Sequence, residues 1–335
     1  MPKLPSPRGP ISESLLDALV RERHSIEPGA VDGDDPLTDE DLQLSLYVCY
    51  ELHYRGFDEV DPAWEWESSL IAFREILETA FEACLFDLLG EPDQTMVDPK
   101  RMDLALREIA DADDAPSLSR HIERHATLDQ LREFMVHRSA YQLKEADPHT
   151  WAIPRLYGPP KGAIVEVQAD EYGGGRPERI HAQLFADAMG AVGLDSSYGA
   201  YLDRIPAPTL ATVNLVSMFG LHRRWLGAVV GHLALLEMTS SIPNHRHAEG
   251  LRRLGFDGEA TVFFDEHVLA DAVHENIAAV DLAGGLAQQS PELSGDILWG
   301  ARALVLCEGR WATHLLEAWG EGGSSLLTEP ATAVA

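Results

Sequence analysis

The 335-residue sequence predicts an all-α fold. Long helix-forming runs dominate, opened by Pro or closed by Gly, as helix termini require. Strand signals are scarce, and no hairpin dipeptide lies between alternating runs. No internal repeat divides the chain.

Taken in order, residues 1–12 are rich in Pro and Ser and are expected to fray, and residues 14–24 suit a short helix. GAVDGDDPLTDED (29–41) reads as a loop ending in a helix cap, with Thr38 and Asp41 resembling a capping box that has a shorter acid. DLQLSLYVCYELHYRGF follows as a helix stopped at Gly56. Pro62 opens the next, AWEWESSLIAFREILETAFEACLFDLLG, which Gly90 closes. Residues 91–116 form a connection with one short helix. Residues 117–156 read as one or two helices ending before Pro148, and YGPPKG (157–162) reads as a loop. AIVEVQADEY, GGG and RPERIHAQLFADAMGAVGL form two helical pieces, or one helix with a strained middle, because the glycines and Pro177 weaken it. An apolar helix is expected over 209–241, a loop and short helix over IPNHRHAEGLRRLGF, a helix from about 263, and a last long one in SPELSGDILWGARALVLCEGRWATHLLEAW. The tail, 321–335, is expected to be disordered.

Hydrophobic residues make up 45% of the chain, enough for a substantial core, while the formal net charge is −29. Such a charge argues against nucleic acid and against anionic membrane surfaces as partners. No apolar run approaches the ~20 residues of a membrane span, and no secretory h-region opens the chain. Three scattered cysteines, Cys49, Cys84 and Cys307, make neither a disulfide framework nor a zinc knuckle. A cytoplasmic location is the expectation.

The chemistry concentrates in FFDEHVLADAVHENIAAVD (263–281). His267, Asp271 and His274 stand at i, i+4 and i+7, on one helix face. Imidazoles with a carboxylate suit iron, zinc or manganese, and one helix cannot complete such a site. Glu237 is set in the apolar run HLALLEMTS, where a buried carboxylate needs a cation or a hydrogen-bonded partner. His232, five positions earlier, falls on another face and reads as a core histidine. Glu178 and His181 form E-x-x-H, the i, i+3 pair of di-iron carboxylate bundles. Glu171 and His181 are ten apart and align only if the GGG segment is distorted, so the residues alone leave Glu171 and Glu178 both open. Glu145 lies near a helix end in LKEADPH. Glu133 and His137, at i, i+4, read as a solvated face.

YQLKEADPHTWAIPRL, DEYGGGRPERIH, the buried Glu and H-x-x-x-D-x-x-H together resemble the heme-oxygenase-like diiron oxidases and oxygenases. The likeness covers roughly 125–320 and is nearest the N-oxygenase branch that includes the central domain of the streptozotocin-biosynthesis enzyme. Residues 1–120 resemble the helical dimerisation region seen there, but no cupin domain follows, so no N-nitrosating step is implied. The resemblance implies a heme-oxygenase-like helical bundle over 117–320, preceded by an N-terminal helical region (1–116) that forms a homodimer. It implies the ligand set Glu145, Glu171, His181, Glu237, His267, Asp271 and His274, holding two Fe ions that cycle between Fe2+ and Fe3+, with O2 as cosubstrate. Its spacing favours Glu171, with Glu178 in reserve. The implied activity is O2-dependent N-hydroxylation of an amino acid or related small amine or guanidine, served by an external electron donor. Carbon-chain cleavage or desaturation, or a non-catalytic iron-binding role, are the alternatives. Arg138, Arg155, Arg204, Arg223 and Arg224 are unranked candidates for binding a substrate carboxylate.

Overall fold

The computed structural model describes residues 1–26, 33, 35–93 and 96–328, and for Asp271 and Ala272 the backbone alone. Among these residues there is no strand. The N-terminal part contributes α1 (Pro10–Leu19), α2 (Glu40–Glu51), α3 (Ser68–Leu89) and α4 (Met102–Asp111). Then follow α5 (Leu118–Arg124), α6 (Leu128–Gln142), the single turn α7 (Asp147–Thr150), α8 (Gly158–Glu171) and α9 (His181–Ala191). The remaining helices are α10 (Ala207–Leu221), α11 (Leu226–Arg253), α12 (Val262–Asn276), α13 (Gly285–Gln289) and α14 (Ser294–Gly320). A π-helical segment, Ile277–Gly284, joins α12 to α13.

Several boundaries differ from the sequence reading, each for a local reason. The α2 cap is Asp39, whose carboxylate accepts the Asp41 and Leu42 amides, while the Thr38 hydroxyl turns back to the Asp35 carbonyl. The start of the expected loop, residues 29–32 and 34, lies outside the described residues. YGPPKG is largely the first turn of α8, where prolines lose nothing because those amides have no intrahelical partner. The apolar run 209–241 is broken at His222–Trp225, and α11 then continues through Pro243 to Arg253 in place of the expected loop. The tail is held as far as Leu327, whose amide donates to the Arg204 carbonyl, and Ser325 is buried against Glu133. Residues 329–335 lie outside the described residues.

Helix α11 is the centre of the bundle, packed against α14, α12 and α5. It is long and apolar enough to cross a membrane by length and composition, and two-thirds of its most apolar window is buried inside the protein. Its approach to α14 is close: a Cβ on Gly231 would collide with the Ile297 carbonyl oxygen, so only glycine permits this crossing. One hydrophobic cluster joins the N-terminal helices to α10, α11 and α14, and includes Leu44, Trp64, Phe81, Phe219 and Trp299. A second gathers Phe134, Phe185, Phe263 and Trp311. Between them lies a cavity of about 590 Å³, lined from both sides by residues such as Leu233, Leu304, Phe134 and Phe185.

Candidate metal centre

Three helix ends and two helix bodies deliver the site. A capping box starts α6: Thr127 accepts the Gln130 amide and Gln130 accepts the Thr127 amide. The helix ends at Gln142, and the turn that follows presents Glu145 to the cavity. Glu171 is the last residue of α8, and His181 the first of α9. Between them the chain reverses through Gly173, Gly174 and Gly175, all with positive φ. A Cβ on Gly173 would lie 2.6 Å from the Arg179 carbonyl carbon, so the glycine allows the loop to close on itself. Two separate helices and a glycine reversal therefore bring residues ten apart together. Glu237 projects from α11, and His267 and His274 from α12.

These side chains form two adjoining groups: Glu145, Glu171, His181 and His267 in one, Glu171, Glu237 and His274 in the other. Glu171 belongs to both. Its Oε2 lies 2.8 Å from His181 Nδ1, yet neither atom makes a well-aligned hydrogen bond among the described residues. Glu145 Oε2 is likewise buried with no hydrogen-bond partner among the described residues, while Glu145 Oε1 lies 3.3 Å from His267 Nε2. His267 donates its Nδ1 proton to the Phe263 carbonyl at 2.8 Å, which fixes the ring and turns Nε2 toward the cluster. The His181 and His267 rings are 4.4 Å apart. His274 places Nδ1 3.2 Å from Glu237 and Nε2 3.1 Å from Asp170. Asp170, the neighbour of Glu171, is thus an orienting acid that the sequence reading missed. Its only signal is a pair of adjacent acids at a helix end.

The charges respond to this crowding. Burial opposes ionisation of Glu171, but His181, His267 and His274 hold it below the usual carboxylate range. Burial pushes Glu237 up, against the pull of His274. Burial works against a charged His274 as well, but Glu237, Glu171 and Asp170 outweigh it and raise the ring to about 9. The carboxylates thus draw positive charge into the site.

Of the expected ligands, Glu145, Glu171, His181, Glu237, His267 and His274 come together, while the side chain of Asp271 lies outside the described residues. Glu178 is exposed, on the 3-10 turn Pro177–Arg179. Glu133 and His137 are not a solvated pair. His137 is buried between Thr209 and Ser325, and Glu133 accepts from Trp319 and Ser325. His232 is buried as expected, and its Nδ1 lies 3.0 Å from His149 Nε2 in the cavity wall. Among the candidate arginines, Arg138 lines the cavity; Arg155 donates to the Gly220 and Leu221 carbonyls, and exposed Arg224 pairs with Glu82.

An all-helical bundle with clustered carboxylates and imidazoles at its centre defines a class of metal-dependent helical proteins. The chain belongs to the iron-containing redox enzyme family, whose model matches residues 132–309, more than half its length. It has the all-α, heme-oxygenase-like fold and is an iron-dependent oxidoreductase. No curated protein matches it. Among solved structures, a CADD-like protein of unknown function from Nostoc punctiforme is similar at 19% identity and a TM-score of 0.47. That match covers 71% of this chain and 96% of the other. The donor set fits iron: buried carboxylate oxygens and an imidazole nitrogen that lack hydrogen bonds among the described residues converge, and nitrogen with carboxylate oxygen is the donor chemistry iron takes.

Proposed function

We propose that the protein is a non-heme diiron, O2-dependent monooxygenase that N-hydroxylates an amino acid or a related small amine or guanidine. The observation that carries the reading is the pair of adjoining ligand groups sharing Glu171, which suits two metal ions side by side. Glu145, His181 and His267 would hold one ion and Glu237 and His274 the other, with Asp271 completing the set. When bound, iron supplies the means of reducing O2. The balance is R–NH2 plus O2, two electrons and two protons giving R–NHOH and water, so an external electron donor is required. The chain's own contributions are positional. Asp170 and the Phe263 carbonyl orient two of the imidazoles, and the cavity beside them gives a substrate room to reach the cluster. The N-oxygenation step is favoured by the motif resemblance.

The test is to load the protein with iron(II) without oxygen, add O2 and reductant, and screen amino acids, guanidines and fatty acids by product mass. A gain of one oxygen on nitrogen supports the reading. Chain cleavage or loss of two hydrogens would replace it with the carbon-chain alternative, and no O2 consumption with any substrate would leave a non-catalytic iron protein.

A further inference from the structure

Beyond the ligand cluster the cavity wall holds a charged pair. Arg138 of α6 and Glu308 of α14 are joined by two parallel bonds, 3.0 Å from Nη1 to Oε1 and 2.7 Å from Nη2 to Oε2. The guanidinium lies 3.9 Å from the centroid of the Trp311 ring, which fixes its plane. Both side chains keep about a quarter of their surface open, 23% and 27%, and both line the cavity. Three other lining residues carry buried polar atoms with no hydrogen-bond partner among the described residues: Trp311 Nε1, His247 Nδ1 and Gln142 Oε1. Trp311 and His247 are only 3% and 8% exposed. Such atoms are costly unless something polar meets them.

We propose that Arg138 and Glu308 form the head-group site for a zwitterionic α-amino acid, taking its carboxylate and its ammonium respectively. The proposal rests on the reading above that the Glu145–Glu171 cluster is the reacting centre. A fatty acid brings one negative charge. To reach Arg138 it must displace Glu308 and leave that carboxylate without its cation, in a protein whose net charge of −29 already repels anions. A simple amine faces the converse problem at Arg138. A zwitterion supplies both partners at once, and the planar Arg138 fork can pair two oxygens of its carboxylate. The indole N–H of Trp311 and the Gln142 oxygen provide a further donor and acceptor for the same head.

The test is calorimetric titration of the intact protein, without oxygen, with its iron content measured on the same samples. The probes are L-arginine, L-lysine and L-glutamine, against agmatine, cadaverine, 5-guanidinopentanoate and dodecanoate. At least one of the amino acids should bind about tenfold or more tighter than any probe lacking its carboxylate or ammonium. Glu308→Gln should erase most of the preference for arginine over 5-guanidinopentanoate while preserving the melting temperature, and Arg138→Lys should weaken the amino acids while retaining partial binding. Equal binding of all the probes, no binding of any amino acid, or a uniform loss in Glu308→Gln would overturn the proposal. Iron uptake without a zwitterion preference sinks this inference alone. A zwitterion preference in protein that takes up no iron sinks the diiron reading alone.

Discussion

Glu171 and Glu178 stand on either side of the glycine reversal, and only one of them faces the imidazoles. Glu171 is buried beside His181, whereas Glu178 is exposed on a 3-10 turn. Glu171→Ala removes the carboxylate common to both ligand groups, so iron uptake under anaerobic loading should fall to one ion or none. Glu178→Ala should leave iron content unchanged and shift stability by at most about 0.5 kcal/mol, as surface substitutions do. Metal analysis of the two variants decides the matter, and the reverse pattern would move the ligand to position 178. Most of the side chains that the structure gathers into the two groups were legible as candidates from residue spacing and resemblance. His267 and His274 share a helix face, and Glu237 stood out because its neighbours are apolar. Asp170 was not legible, because an exposed acid at a helix end looks like any solvated carboxylate until His274 is placed 3.1 Å from it.

At the scale of elements, the glycines do opposite jobs. Gly173 closes the loop that returns His181 to Glu171, and its φ of 68° excludes a side chain as firmly as the nearby Arg179 backbone does. Gly173→Ala should cost roughly 1–3 kcal/mol and lower iron affinity with it, read by thermal melting and metal analysis. Gly231 sets the α11–α14 crossing. Gly231→Ala should destabilise by about 2 kcal/mol or more through backbone displacement. Gly190→Ala, in α9 with open space around its Cβ, should instead be neutral or stabilise by up to ~1 kcal/mol. Similar melting temperatures for the Gly231 and Gly190 variants would contradict the packing account. Helix identity was readable from composition, but helix ends were less so. YGPPKG and Pro243 looked like breaks because proline lacks an amide. The first sits in a first turn that needs none, and the second is carried by the packing of α11 on both sides. The π-helical segment Ile277–Gly284 had no sequence signal, since its extra residue per turn leaves the composition helical.

The whole molecule should be sensitive to acid. Burial pushes His149 down to about 4 and His247 to about 3, and drives His232 and His137 down as well. The unfolded chain, with imidazoles near 6.5, therefore binds more protons than the folded one as pH falls. The contribution of these lowered histidines should be fully present above about 6.5 and decline as pH falls toward 4 and 3, by on the order of 3 kcal/mol for His149 alone. Melting across this range checks it, and His149→Gln should flatten the decline. An unchanged slope would remove His149 from the account. The resemblance implies a homodimer through the N-terminal helical region, and the aromatic, apolar helices within residues 40–90 are its expected interface. Most of α2 is buried within the chain, so α3 and the turn before it, with exposed Trp66, Ile76 and Leu88, are what such a dimer would cover. Light scattering should then give twice the 36.8 kDa of one chain, and a monomer at the same concentration would count against it.

The central claim is that two irons sit side by side in groups that share Glu171. Anaerobic titration with iron(II), followed by Mössbauer spectroscopy after oxidation by O2, tests it most directly. The account predicts uptake of up to two irons per chain and magnetically coupled ferric ions that give a diamagnetic ground state. Saturation at one iron, or a single uncoupled ferric signal, would contradict it.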